Sequence, residues 1–86
     1  MIPPPDNTPP VPLNRLRPGQ RATVVGLVGG RGFRMRLLSM GLRVGSEVEV
    51  VHSSNGAAGP TLVAAGETRL AIGHGMAAKV LVAVKR

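Results

Sequence analysis

The sequence contains no cysteine, no tryptophan and no tyrosine, and Phe33 is its single aromatic residue. Without cysteine, neither disulfide bonds nor thiolate metal sites can stabilise the fold, and a reducing compartment is allowed. We expect Phe33 to be buried, which leaves no exposed aromatic ring on which nucleic-acid bases could stack. The core must therefore be built from Val, Leu, Ile and Ala.

Acidic residues are also scarce. Four Asp and Glu stand against eleven Lys and Arg, which gives a formal net charge of +7. That charge suits an acidic protein surface, an anionic membrane or nucleic acid, and its sign alone does not choose among them. No run approaches the roughly 18 apolar residues of a spanning helix. The first six residues have neither the basic start nor the apolar core of a signal peptide, so we expect a cytoplasmic protein.

Proline is concentrated at the amino end of the chain. Residues 1–12 hold six of the eight prolines, and each proline lacks an N–H and restricts the residue before it. We therefore predict a disordered tail over residues 1–12 and one domain over residues 13–86. A domain of this size buries a modest fraction of its surface and is only marginally stable.

Alternating apolar residues predict strands over residues 21–28, 46–51, 61–65, 68–72 and 80–84. Gly26, inside the first of these, predicts a bulge or bend. A helix is expected between the first two strands, and a single helical turn over residues 73–78 before the last. This order predicts a mainly β fold, a small SH3-like barrel of about five strands.

The helix between the first two strands carries apolar residues at helical spacing. Phe33, Leu37 and Met40 recur at intervals of four and three, so they should share one face and fill the barrel. Gly41 is expected to end this helix in the left-handed conformation, and Leu42 to fold back on its last turn.

The opposite face of this helix predicts a binding surface. Met35 and Leu38 should point away from the core and be surrounded by arginine, a composition that is common at interfaces. Arginine makes forked contacts with carboxylates, and methionine adapts its shape to a partner. The alternative is an ordinary solvated helix face. The candidate partner-binding residues are Arg31, Arg34, Met35, Leu38 and Arg43, and Arg36 belongs to the same basic set.

Other candidate sites have weaker patterns. The stretch Gly29-Gly30-Arg31-Gly32 could cradle a phosphate, but it lacks the spacing and lysine of a phosphate-binding loop and equally suits a flexible connector. His52 and His74 show no close ligand spacing, so we expect exposed histidines and no specific metal site. We predict no cofactor and no catalytic residues, because neither a nucleophile with its base nor a pair of acids is evident.

The turns and the helix end together resemble the ferrous iron transport protein A (FeoA) family. The matching positions are Leu16, Pro18 and Gly19 before the first strand, Arg36, Leu37, Met40, Gly41 and Leu42 at the helix end, and Gly45 before the second strand. The family has a proline before that last glycine, whereas this chain has Val44. The chain thus lacks the fixed backbone angle of proline but keeps the glycine, so we expect the turn to form.

The resemblance implies a non-enzymatic cytoplasmic accessory protein that binds and modulates the FeoB-type membrane iron permease. Its helix and adjoining loops would meet the permease's cytoplasmic nucleotide-binding part, and the membrane would be reached only through that partner. Self-association is left open. Two alternatives remain, a small basic barrel that binds nucleic acid and a metal-responsive regulatory module, although no helix-turn-helix pattern accompanies the barrel.

Overall fold

The computed structural model describes residues 9–53 and 59–85. It is a mainly β, SH3-like barrel built on a six-stranded antiparallel sheet with the strand order β1-β6-β2-β3-β4-β5. The strands are β1 (Val11–Pro12), β2 (Arg21–Leu27), β3 (Glu47–His52), β4 (Thr61–Ala65), β5 (Thr68–Ile72) and β6 (Val80–Val84). A 3-10 helix (Leu13–Arg15) follows β1, helix α1 (Arg31–Ser39) lies between β2 and β3, and a single turn, α2 (His74–Ala77), precedes β6.

The amino end of the domain differs from the sequence prediction. Val11 and Pro12 form a short strand that pairs with Val82 and Leu81 of β6, and Leu13 is fully buried in the core. The ordered domain therefore begins at least two residues before the predicted boundary at residue 13. Proline is tolerated here because β1 is an edge strand, where a missing N–H costs no ladder bond on the open side. The predicted tail otherwise falls largely on residues 1–8, outside the described part.

The core follows the predicted periodicities. Ala22 and Val24 of β2, Val48 and Val50 of β3, and Val80 and Val82 of β6 are buried, as alternation requires. The predicted irregularity in β2 is confirmed, because the register against β6 shifts between Val24 and Gly26. The buried residues are Leu13, Leu16, Ala22, Val24, Leu37, Leu42, Val48, Val50, Val63, Ile72, Ala77, Val80 and Val82, with Thr61 the one buried polar residue described.

A turn that contains glycine comes directly before each of the strands β2 and β3. Gly19 (φ 93°) and Gly45 (φ 99°) adopt positive φ angles, and both turns close with a backbone hydrogen bond, from Gln20 N–H to Arg17 O and from Ser46 N–H to Arg43 O. Gly45 N–H also donates to Val24 O at 2.8 Å, which ties the second turn to β2. The turn therefore survives with Val44 in place of proline, as expected.

Helix α1 ends as predicted. Gly41 has φ 91°, and its N–H donates to Leu38 O at 2.9 Å, while Leu42 N–H donates to Leu37 O at 2.9 Å. This pair of bonds is a Schellman motif, which satisfies the last carbonyls of the helix and turns Leu42 into the core.

Gly41→Val is expected to lower the free energy of unfolding by about 1 to 3 kcal/mol, measured by thermal unfolding. A Cβ at Gly41 would have no neighbour within 4 Å, so the cost comes from the backbone conformation and not from a clash. Gly41→Asn is the control, because asparagine tolerates positive φ, and should lose much less. Equal losses in the two variants would contradict this explanation.

Candidate docking surface

The outer face of α1 carries the predicted apolar and basic side chains. Leu37 is fully buried, and Phe33 and Met40 pack partly against the core, so the helix turns its other side to solvent. Met35 is 57% exposed and Leu38 49% exposed, as their place on the helix predicted. Arg31, Arg34, Met35 and Leu38 stand at the spacing i, i+3, i+4, i+7 and form one stripe along the helix. We call Arg31, Arg34, Met35, Leu38 and the exposed Arg43 the α1 face.

The arginines of the α1 face have no acidic partner among the described residues. The two ion pairs in the described part of the chain lie on the sheet, where Arg21 pairs with Glu49 at 3.5 Å and Lys85 with Glu47 at 2.9 Å. Both pairs are exposed and contribute little to stability. The α1 face therefore presents uncompensated positive charge around two exposed apolar side chains.

A shallow depression lies on one side of the α1 face, next to the helix end. Leu38, Gly41 and Arg43 line it together with Ser46, Glu47, Ala65 and Gly66. Arg43 is held by the Gly45 turn, where its backbone N–H donates to Ser46 Oγ at 3.0 Å. The structure thus brings Arg43 and Leu38 to the same depression, although the two are five residues apart in the chain. Glu47 gives this depression charges of both signs.

A second and more apolar groove borders α1 at Arg34. It has a volume of about 460 Å³ and is lined by Val25, Gly26, Leu27, Val28, Arg34, Val44 and Leu81. We call it the β2 groove. Three of the five exposed large apolar residues described lie in it, with exposures of 41% for Val25, 55% for Val28 and 58% for Val44.

The β2 groove was not predicted from the sequence. A signal was present in Val25, which follows the buried Val24 in β2, and in Val28, which comes directly after the end of that strand. Val25 points outward by ordinary alternation with the buried Ala22 and Val24. The bulge between Val24 and Gly26 then shifts the alternation, so that Leu27 packs against the core and Val28 is exposed. Val44, the position that departs from the resemblance, supplies the most exposed apolar side chain of the groove.

The glycine-rich connector before α1 has a packing role at its first residue. A Cβ placed on Gly29 would lie 2.6 Å from Cδ2 of Phe33, so only glycine lets this ring pack as it does. Lys79 Nζ lies 5.7 Å from the centroid of the same ring. The ring is thus partly buried and partly covered by a cation, and it offers no open platform for a base. Gly30 caps the helix without a side-chain hydrogen bond.

The two histidines lie apart in the fold. His52 ends β3, His74 begins α2, and both are exposed. Over residues 9–53 and 59–85, no group of three or more His, Asp or Glu side chains is placed to hold a metal ion. No described helix is long and apolar enough to cross a membrane.

Comparison with known proteins identifies the fold and the family. The FeoA domain model matches residues 11–84, which is most of the chain and begins at β1. The chain belongs to the FeoA family. It is 34% identical over 71 residues to a Methanocaldococcus jannaschii protein provisionally named Fe(2+) transport protein A, covering 83% of either chain.

Solved structures agree with this assignment. The crystal structure of an iron uptake regulatory protein, FeoA, is 38% identical, with a TM-score of 0.79 over 88% of this chain and 97% of that one. A manganese-dependent transcriptional repressor superposes with a TM-score of 0.81, covering 92% of this chain and 38% of that one, but at 21% identity this shows the fold alone.

The purified FeoA chain is expected not to bind ferrous iron tightly. Two separated, exposed histidines and scattered methionines give no preorganised ligand set. Anaerobic titration calorimetry with ferrous iron is the measurement, and no stoichiometric heat should appear. A one-to-one site that is lost in His52→Ala or His74→Ala would contradict this expectation and favour a metal-sensing role.

Proposed function

We propose that this FeoA chain is a non-enzymatic cytoplasmic accessory protein of ferrous iron uptake that binds and modulates a FeoB-type membrane permease. Membership of the FeoA family supports the role in ferrous iron transport. The α1 face supports binding as the mode of action, because exposed Met35 and Leu38 lie among arginines that have no acidic partner in the described part of the chain.

The partner surface should be acidic and partly apolar. Arginine recognises carboxylates through forked hydrogen bonds, and methionine adapts to an irregular apolar surface. The cytoplasmic nucleotide-binding part of the permease is the proposed contact. Docking can modulate transport only if the α1 face has a higher affinity for one state of the permease than for another.

The experiment that tests this proposal is a pull-down of detergent-solubilised permease by the full chain, with and without guanine nucleotide. We expect permease to be retained, and its amount to depend on the nucleotide, because nucleotide sets the state of the proposed contact. Retention that is lost on nuclease treatment, with no permease bound, would overturn the proposal and favour nucleic-acid binding.

Nucleic-acid binding is the second candidate, and the net charge of +7 favours it. The partly buried Phe33, the single aromatic of the chain, argues against recognition by stacking. A metal-responsive regulatory module is the third candidate. It is favoured by the likeness in fold to the manganese-dependent repressor, and the separation of His52 from His74 argues against it.

A further inference from the structure

The β2 groove is a concave apolar surface that adjoins the α1 face at Arg34. Val25, Val28 and Val44 form its walls, and Leu81 of β6 contributes to its floor. A concave surface of this kind receives a protruding side chain, whereas a flat bilayer surface cannot enter it. The groove therefore suits a protein segment better than a membrane.

Gly26 keeps the floor of the groove open. A Cβ built there would lie 3.7 Å from Cδ1 of Leu81, an ordinary packing distance, and Gly26 does not have a positive φ angle. A side chain at this position would fit the fold but would occupy the groove. The missing side chain thus leaves space beside Leu81 for an apolar group from outside.

No strand in the described part of the chain covers one side of β2 along the groove. The β2 to β3 pairing ends at Thr23, and Val24 then bonds to Gly45 and Ser46 of the turn. Beyond the bulge, Val28 N–H donates to Lys79 O, towards β6. Because neighbouring residues alternate in direction, the N–H and C=O of Leu27 face the uncovered side. An extended segment lying there can add hydrogen bonds to this strand.

Arg34 is the charged residue at the groove. Its side chain is exposed and has no acidic partner among the described residues, and no acid lines the groove. An occupant that fills the apolar space beside Leu81 and carries a carboxylate would pair with this guanidinium. Exposed aromatic rings, which nucleic-acid bases would require, are absent from the groove lining.

We propose that the β2 groove binds an extended protein segment that places a branched apolar side chain against Gly26 and Leu81 and a neighbouring carboxylate against Arg34. The inference rests on the proposed function for the source of that segment, the permease. The groove and the α1 face share Arg34, so they form one continuous surface on which a partner can contact both.

The test is an NMR titration of the ¹⁵N-labelled full chain with a capped heptapeptide of threonine that carries leucine at its third position and aspartate at its fifth. These two side chains lie on the same side of an extended peptide. Amide shifts should change at Val25, Leu27, Val28 and Val44, and hydrogen exchange of the Leu27 amide should slow. Replacing the leucine by serine should weaken binding about tenfold or more, and aspartate by asparagine several-fold.

Gly26→Val provides the variant test. It should weaken peptide binding about tenfold or more. The variant should still give the amide spectrum of a folded chain, because its Cβ packs on Leu81 without a clash. Should Gly26→Val unfold the chain, Gly26→Ala fills less of the groove and should still weaken binding severalfold. Ala71→Val is the matched control, at an exposed position of β5 that lines neither the β2 groove nor the Arg43 depression, and should bind the peptide like the parent chain.

Three outcomes would overturn the proposal. They are equal affinity for the leucine and serine peptides, shifts confined to residues outside the groove, and shifts in the groove that appear on concentrating the chain without peptide and vanish in Gly26→Val. The last would assign the groove to a second copy of the chain. The peptide titration contains no permease, so a failure to bind the peptide leaves the proposed binding to the permease untouched. Conversely, a failure to retain the permease in the pull-down leaves the result of the peptide titration valid.

Discussion

Leu37→Glu is expected to unfold the domain, whereas Leu38→Glu, one residue further along α1, is expected to leave it folded. Leu37 is fully buried in the barrel, and a carboxylate there would have no described partner. Burying an unpaired charge costs several kcal/mol. A chain of this length has a free energy of unfolding of about 4 to 13 kcal/mol. The cost of the buried carboxylate therefore approaches or exceeds the whole free energy of unfolding.

Leu38 shows why the neighbouring change is tolerated. Its side chain is 49% exposed on the α1 face, where a glutamate remains in water and lies near Arg34 and Arg43 rather than in the core. We expect a change in the free energy of unfolding within about 0.5 to 1 kcal/mol. Circular dichroism at 25 °C followed by thermal unfolding measures both variants. Loss of structure in both would contradict the assigned orientation of α1.

The orientation of α1 could be predicted because it depends on local spacing. Phe33, Leu37 and Met40 fall on one side of any helix with 3.6 residues per turn, whatever surrounds it. The left-handed Gly41 was predictable for the same reason, since a helix end fixes the backbone over a few residues, whereas the turn at Gly45 was expected from the family resemblance. These elements position Met35, Leu38 and Arg43 on the surface.

Features that depend on distant pairing were not predicted. Strand β1 exists because β6 offers Val82 and Leu81 as partners, some seventy residues away, and nothing in the proline-rich composition around Val11 indicates this. The β2 groove depends on where β3 leaves β2 after Thr23 and on a bulge that shifts the alternation beyond Val24 and so exposes Val28. Neither the pairing limit nor the direction of the side chains beyond a bulge follows from local periodicity.

The sequence between β3 and β4 is polar and rich in glycine, which predicts a hairpin loop over residues 53–60 and makes that loop a second candidate docking surface. Residues 54–58 lie outside the described part of the chain. The α1 face therefore remains the surface on which the docking proposal is tested.

The docking proposal predicts that Met35→Glu and Leu38→Glu fold but weaken association with the permease by about tenfold or more. Each change removes an exposed apolar contact and adds a negative charge opposite a surface that is proposed to be acidic. Arg34→Glu should weaken association as well, and its effect should shrink as salt rises, because exposed charge contacts are screened over about 8 to 10 Å.

Matched controls separate the α1 face from the charge of the whole chain. Arg69→Glu makes the same charge change at an exposed position on β5 that lines neither the Arg43 depression nor the β2 groove, and Ala71→Glu adds a carboxylate on the same strand. Both should bind the permease like the parent chain. The measurement is surface-immobilised permease at two salt concentrations, together with iron uptake in a strain that lacks the protein.

The uptake measurement decides whether the α1 face acts in the cell. If docking through this face modulates the permease, then folded Met35→Glu and Leu38→Glu chains should fail to restore uptake, whereas Arg69→Glu should restore it. Variants that fold, bind the permease weakly and still restore uptake would show that binding through the α1 face is not required for iron uptake. Variants that fold and bind normally would show that the docking face lies elsewhere, because a carboxylate in place of Met35 or Leu38 cannot be accommodated against an acidic, apolar partner surface.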